Sequence, residues 1–99
     1  MKISYIVPCW ITNLDIAQLT VNAIKSMQKA VSDAEFVIID NGSSEGGTYL
    51  RTVSDIYIRN KENIGFPKAV NQGFKLSHGD YVIFANNDIR VSQNFMKVA

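Results

Sequence analysis

Short apolar runs recur along the chain, and segments with the apolar spacing of a helix lie between them. The runs occupy residues 3–7, 35–40, 55–59 and 81–85. Their β-branched and aromatic content, ended by proline or turn-forming residues, predicts four strands. The segments with helical spacing occupy residues 16–31, 48–53 and 67–76. Thr12 or Asn13 can cap the first helix, and Pro67 suits the first turn of the third.

This alternation of strands and helices predicts one α/β domain with a Rossmann-like, mostly parallel sheet and helices on both of its faces. Parallel neighbours need crossover connections, which the intervening helices supply. In such sheets, ligands bind outside the carboxyl ends of the strands. The segments that follow the four predicted strands are Pro8-Cys9-Trp10, Asp40 to Ser43, Asn60 to Gly65 and Asn86-Asn87-Asp88. Three of the four are polar or acidic, so we expect a functional site at this edge.

The bulk composition narrows the classes of protein to which the chain can belong. Its 99 residues, 46% hydrophobic and 19% charged, fit a single domain. A formal net charge of +1, without a run of like charge, does not favour nucleic-acid binding. The apolar runs are far shorter than a membrane span, and no signal peptide is recognisable, so the sequence predicts a cytoplasmic protein. Cys9, the single cysteine, is expected to be a buried, unreactive thiol.

Two groups of polar residues at strand ends each have a functional and a structural interpretation. Asp40 closes an apolar strand, where its carboxylate could accept a hydrogen bond from a nucleobase or ribose, or equally from the backbone of its own turn. Asn86 and Asp88 could place two oxygen ligands on one Mg²⁺ or Mn²⁺ ion, although Asn-Asp is also a common turn. The residues alone leave both interpretations of Asp40 open. For Asn86 and Asp88 they favour a turn.

The start of the third helix could bind a phosphate through backbone N–H groups at Gly65, with Lys68 as counter-charge, or could be an ordinary helix start. Neither the P-loop nor the G-x-G-x-x-G fingerprint is present, which argues against P-loop NTPases and NAD-type dehydrogenases. His78, without a partner at metal spacing, is interpreted as a helix-end cation or surface residue.

Four stretches in order carry a family resemblance. They are Ile6 to Trp10, Ile38 to Ser43, Asn63 to Gly73 and Gly79 to Asp88. The first ends a strand at proline, and the second is similar to an Asp-Asp/Asn-Gly-Ser signature. The third is similar to N-x-G-[FG]-x-x-A-x-N-x-G, and the fourth to the approach to a D-x-D metal motif. Together they resemble the family 2 glycosyltransferases of GT-A fold, with Asn86 replacing the first aspartate of D-x-D.

The resemblance implies a set of nucleotide-binding residues: Pro8, Cys9, Trp10, Asp40, Asn41, Gly65, Lys68, Asn71 and Asn87. By this resemblance, Asp40 contacts the base of a nucleoside diphosphate donor, expected to be a UDP- or dTDP-sugar. Asp88 and Asn86 bind the divalent cofactor, Mn²⁺ or Mg²⁺. Lys68 and Asn71 line the diphosphate and nucleoside side of the cleft.

The resemblance also implies transfer of a sugar to a glycan or lipid-linked acceptor with inversion, an activity typical of polysaccharide biosynthesis. The matching enzymes carry their general base beyond the D-x-D strand. We therefore expect residues 1–99 to form one donor-binding domain, truncated before the acceptor-binding part and without a catalytic base. The exposed sheet edge predicts a homodimer, and peripheral attachment to the inner face of the membrane is compatible with the class.

A non-catalytic nucleotide-sugar-binding module is the alternative. A nucleotidyltransferase or a receiver domain would need other residues after the first strand.

Overall fold

A computed structural model describes residues 2–31 and 33–85, in which strands and helices alternate as the sequence predicts. The elements are β1 (Ile3–Cys9), α1 (Leu14–Ala30), β2 (Glu35–Asn41), α2 (Gly47–Thr52), β3 (Ile56–Asn60), α3 (Phe66–Leu76) and β4 (Tyr81–Phe84). Asn13 caps α1, because its side-chain oxygen accepts a hydrogen bond from the N–H of Ile16 at 2.9 Å. Within the described residues, no helix is both long and apolar enough to cross a bilayer.

The four strands form one parallel sheet in the order β3-β2-β1-β4. The sheet register places Cys9 beside Asp40, and Asp40 beside Arg59. One position further along, Asn41 lies beside Asn60. The carboxyl ends of β1, β2 and β3 therefore meet at one edge, as predicted.

Alternate residues of the strands face two different helical layers, which confirms the prediction of helices on both faces. On one face, Tyr5 and Phe36 stack with their ring centroids 5.0 Å apart and pack with residues of α1 and α2 in a common core. On the other face, Ile6, Val37 and Ile39 pack against Ala69 of α3.

Gly73 allows α3 to lie very close to this second face. A Cβ atom at this position would stand 2.6 Å from Cγ2 of Ile6 and 2.7 Å from Cδ1 of Ile39. Glycine costs a helix interior roughly 1 kcal/mol relative to alanine. The close packing of α3 on the sheet offsets this cost.

At the opposite, amino-terminal edge of the sheet, the buried carboxylate of Glu35 joins three segments. Glu35 accepts hydrogen bonds from the Ser4 hydroxyl at 2.9 Å and from the His78 backbone at 2.8 Å, and it contacts His78 Nδ1 at 2.9 Å. Burial alone would raise the pKa of Glu35, but the bonds from His78 and Ser4 outweigh burial and lower it. The His78 ring is 70% exposed and lies just beyond α3, so it is a surface residue that also ties this loop to β2.

Candidate functional site

Asp40 lies at the end of β2, on the sheet face covered by α1 and α2, and its side chain is completely buried. Its Oδ1 accepts a hydrogen bond from the Ser43 backbone N–H at 2.9 Å. Its Oδ2 accepts hydrogen bonds from the Tyr57 hydroxyl and from Arg59 Nη1, both at 2.6 Å. Both carboxylate oxygens are thus occupied by groups of the protein itself.

These contacts support the structural interpretation of Asp40, in which its own turn and the neighbouring strand hold the carboxylate. Burial by itself would raise the pKa of the carboxyl group, but hydrogen bonds from Ser43 and Tyr57 and the charge of Arg59 lower it. The carboxylate is therefore ionised and fully paired inside the domain. Direct contact of Asp40 with a nucleobase, which the resemblance implied, stays a prediction, and in the structure the carboxylate is buried and bonded to groups of the protein.

Asn41, the next residue, points to the opposite face and organises the loop between β3 and α3. Its Oδ1 accepts hydrogen bonds from the Ile64 N–H at 3.0 Å and from Asn60 Nδ2 at 3.2 Å. Its Nδ2 donates to Asn63 Oδ1 at 2.9 Å. Asn60, the last residue of β3, and Gln72 of α3 exchange two further amide hydrogen bonds, each 2.8 Å long. This uncharged amide network fixes the loop that leads into α3.

The loop delivers Gly65 to the amino end of α3. Gly65 has a φ of 88°, and its N–H donates to Asn63 Oδ1 at 2.8 Å. Pro67 lies in the first helical turn, as predicted, and the side chains of Lys68 and Asn71 are exposed. A basic side chain and the positive end of an 11-residue helix therefore stand at the carboxyl edge of the sheet.

The end of β1 contributes the other predicted wall of the site. Pro8 is half-buried and points to the α3 face, whereas Trp10 is 57% exposed. Cys9 is buried, and its pKa is raised to about 12 by burial and by the negative charge of Asp40. The Cys9 side chain therefore has no access to a ligand, and only the backbone at this position can line a nucleoside site.

The raised pKa of Cys9 leads to a prediction about its reactivity. At pH 8 the folded protein should react with iodoacetamide at least roughly a hundredfold more slowly than the urea-unfolded chain, because the thiolate is the nucleophile. Mass spectrometry of timed samples measures both rates. Equal rates would mean that the thiol is neither buried nor suppressed.

Tyr57 and Arg59 were not selected from the sequence. They lie beside Asp40, on the sheet face that α1 and α2 cover. Burial and the hydrogen bond to Asp40 raise the pKa of Tyr57 to about 12. A cavity of about 390 Å³ adjoins them. Its walls include Ser44, Gly46, Thr48, Arg51, Tyr57 and Arg59. The period-two spacing of Tyr57 and Arg59 in β3 was the available signal, because it places both on one side of the strand.

The predicted metal ligands Asn86 and Asp88, and the predicted nucleotide contact Asn87, lie outside the described residues. The last described residue is Ala85, whose N–H donates to the Ile6 carbonyl at 3.0 Å, so the chain runs beside β1 as far as this residue. Within residues 2–31 and 33–85, no three acidic, histidine or cysteine side chains are grouped as a metal site.

A protein-family model matches nearly the whole chain. The family model described as glycosyl transferase family 2 matches residues 4–98. Among curated proteins, none has a significantly similar sequence.

Two solved structures, each with a bound nucleotide sugar, share the fold of the chain. The S. aureus TarS structure in complex with UDP-GlcNAc is 22% identical to the chain, with a TM-score of 0.76 over 99% of the chain and 30% of the TarS fragment. The Pyrobaculum calidifontis mannosyltransferase PcManGT in complex with GDP-Man and Mn²⁺ is 16% identical, with a TM-score of 0.77 over 93% of the chain and 29% of PcManGT. The chain thus spans less than a third of either protein, and at these identities the likeness establishes the fold.

Proposed function

Because the chain belongs to glycosyl transferase family 2, we propose that it binds the nucleotide-sugar donor of an enzyme that transfers a sugar to an acceptor hydroxyl with inversion. The observation that carries this proposal is the group of donor-site candidates at one edge of the sheet. Pro8 and Asn41 lie near the carboxyl ends of neighbouring strands on one face, and Gly65 and Lys68 lie at the start of the helix that covers that face. Ligands of open α/β sheets bind at such an edge.

The chemistry of this edge suits a nucleoside diphosphate. Lys68 supplies a positive charge in the first turn of α3, where the helix dipole also favours an anion. The exposed indole of Trp10 and the half-buried ring of Pro8 offer apolar surface for a nucleoside. In this proposal Asp40 supports the loop after β2, and Asn41 supports the loop before α3.

The divalent cofactor belongs to the same proposal. Asp88 and Asn86 have the oxygen ligands that Mn²⁺ and Mg²⁺ take, and they follow β4 in the sequence. A metal held there would supply charge stabilisation to the departing diphosphate. The general base and the acceptor are assigned to no described residue.

The donor is proposed to be a pyrimidine nucleoside diphosphate sugar, and the acceptor a glycan or a lipid-linked hydroxyl. The neighbouring structures contain UDP-GlcNAc and GDP-Man, so the fold accommodates both pyrimidine and purine donors. The proposal for a pyrimidine therefore needs a direct test against a guanine nucleotide.

Calorimetric titration of UDP, dTDP and GDP, each with Mn²⁺ or with EDTA, tests the proposal. We expect UDP or dTDP to bind more tightly than GDP, and the metal to strengthen binding. Lys68→Ala should weaken the metal-dependent binding about tenfold, which corresponds to one lost charge-assisted contact. Lys75→Ala, at the far end of the same helix, is the matched control and should bind as the wild type does. Absence of binding for all three nucleotides, or equal losses in the two lysine variants, would contradict the proposal.

A further inference from the structure

The segment after β1 is held by the loop after β2 through the backbone of Ile11. The Ile11 N–H donates to Ser43 Oγ at 2.9 Å. The Ile11 carbonyl accepts hydrogen bonds from the N–H groups of Ser44 at 3.0 Å and Glu45 at 3.4 Å. Ile11 directly follows Trp10, so the placement of the exposed indole depends on where this loop lies.

The same loop is held from β3 by the guanidinium group of Arg59. Arg59 Nη2 donates to the Ser43 carbonyl at 3.0 Å, while Nη1 donates to Asp40 Oδ2 at 2.6 Å. Tyr57 donates to the same oxygen of Asp40 and so helps to fix the carboxylate. A planar guanidinium fork can bridge two acceptors in this way, whereas a lysine ammonium cannot reproduce its geometry.

We propose that Arg59 is a positioning residue of the donor site, which orients the nucleoside wall from Pro8 to Trp10 through Ser43 and Ile11. It acts from the face of the sheet opposite Pro8, because its side chain lies on the Asp40 side. The identity of the ligand in this inference rests on the proposed function. The coupling of Arg59 to Trp10 rests only on the hydrogen bonds described above.

If Arg59 had only a structural role, its replacement would lower the stability of the domain. The nucleoside wall would then be unchanged in those molecules that are folded. A positioning residue also changes the local motion of Trp10 and the affinity for the nucleotide. Trp10 is the single tryptophan of the 99 residues, so its fluorescence reports on this wall alone. Time-resolved fluorescence anisotropy resolves nanosecond segmental motion of the indole.

The experiment compares Arg59→Ala and Arg59→Lys with two controls. Arg51→Ala removes an equal charge from the wall of the same cavity but leaves the bonds of Ser43 in place. Ile24→Val trims a buried side chain of α1 and lowers stability away from the loop. Each folded protein is measured for Trp10 anisotropy decay and, by calorimetry, for UDP binding with Mn²⁺.

For Arg59→Ala we expect faster local depolarisation of Trp10 and about a tenfold weaker UDP affinity, with Arg59→Lys changed in the same direction. Both controls should match the wild type in both measurements. Wild-type values for Arg59→Ala would overturn the inference. If Arg59→Ala does not fold, Arg59→Lys decides, and wild-type anisotropy there would overturn it equally. If the wild type binds none of UDP, dTDP and GDP, the proposed function fails, while the Trp10 measurement still decides the positioning role.

Discussion

Asp40→Ala should destabilise the domain by about 3 kcal/mol, because it leaves one buried and one half-buried hydrogen-bond donor without their charged acceptor. The donors are the Ser43 backbone N–H and the Tyr57 hydroxyl. Arg59 loses its partner too, but its side chain is 50% exposed and can be rehydrated. For a domain of this size the loss corresponds to a fall in Tm on the order of 15 °C, which calorimetry or circular dichroism would measure.

Tyr57→Phe is the matched control, because it removes only one of the three bonds to Asp40. We expect Tyr57→Phe to lower the free energy of unfolding by about 1 kcal/mol. Asp40→Asn should lose about as much stability as Asp40→Ala. When the amide oxygen accepts the hydrogen bond from Ser43, the NH₂ group faces Tyr57 and Arg59, which are both donors. If Asp40→Ala melted within a few degrees of the wild type, the paired carboxylate would not be the structural support that its burial indicates.

The stabilisation by Asp40 should also depend on pH in a defined direction. Its folded pKa is lowered below the value of about 3.9 that applies to the unfolded chain. The stabilising contribution is therefore complete above about pH 4 and is lost as the pH falls through the folded pKa. The difference in Tm between wild type and Asp40→Ala should accordingly be constant near neutral pH and shrink in acid.

The sequence alone predicted the fold because its signals are local and repeated. Each strand is a short apolar run ended by a turn or proline, and the intervening segments have helical spacing. Parallel pairing follows from that order, since crossover helices connect the strands. The short α2 was also predicted, although it begins one residue earlier than the predicted segment and ends one residue earlier.

The functions of individual residues at the carboxyl edge were less predictable, because they depend on partners distant in sequence. Asp40 and Arg59 are 19 residues apart, and only the register of β2 with β3 brings them together. Sequence spacing placed Asp40 at a strand end but did not say which donors would reach it. The hydrogen bonds of the Asn41 amide with Asn63 and Ile64 likewise could not be foreseen from spacing, and its assignment to nucleotide binding stays a prediction.

Gly42→Ala should remove about 3 kcal/mol of stability and displace the loop before α3, since two penalties act at one position. Gly42 has a φ of 81°, which L side chains rarely adopt. A Cβ atom there would also stand 2.6 Å from the carbonyl carbon of Glu62 and 2.7 Å from the nitrogen of Asn63. These are backbone atoms, so the clash cannot be relieved by a side-chain rotation and the loop itself must move.

Gly65→Ala separates the two penalties, because Gly65 also has a positive φ but its Cβ would meet nothing closer than Cδ of Pro67 at 4.0 Å. It should lose stability through backbone strain alone. The discriminating measurement is amide hydrogen exchange at Ile64, whose N–H donates to Asn41. Gly42→Ala should abolish protection of this N–H, whereas Gly65→Ala should keep it. Retained protection in Gly42→Ala would mean that the loop before α3 does not rest on Gly42, and that the amide network around Asn41 forms independently of this contact.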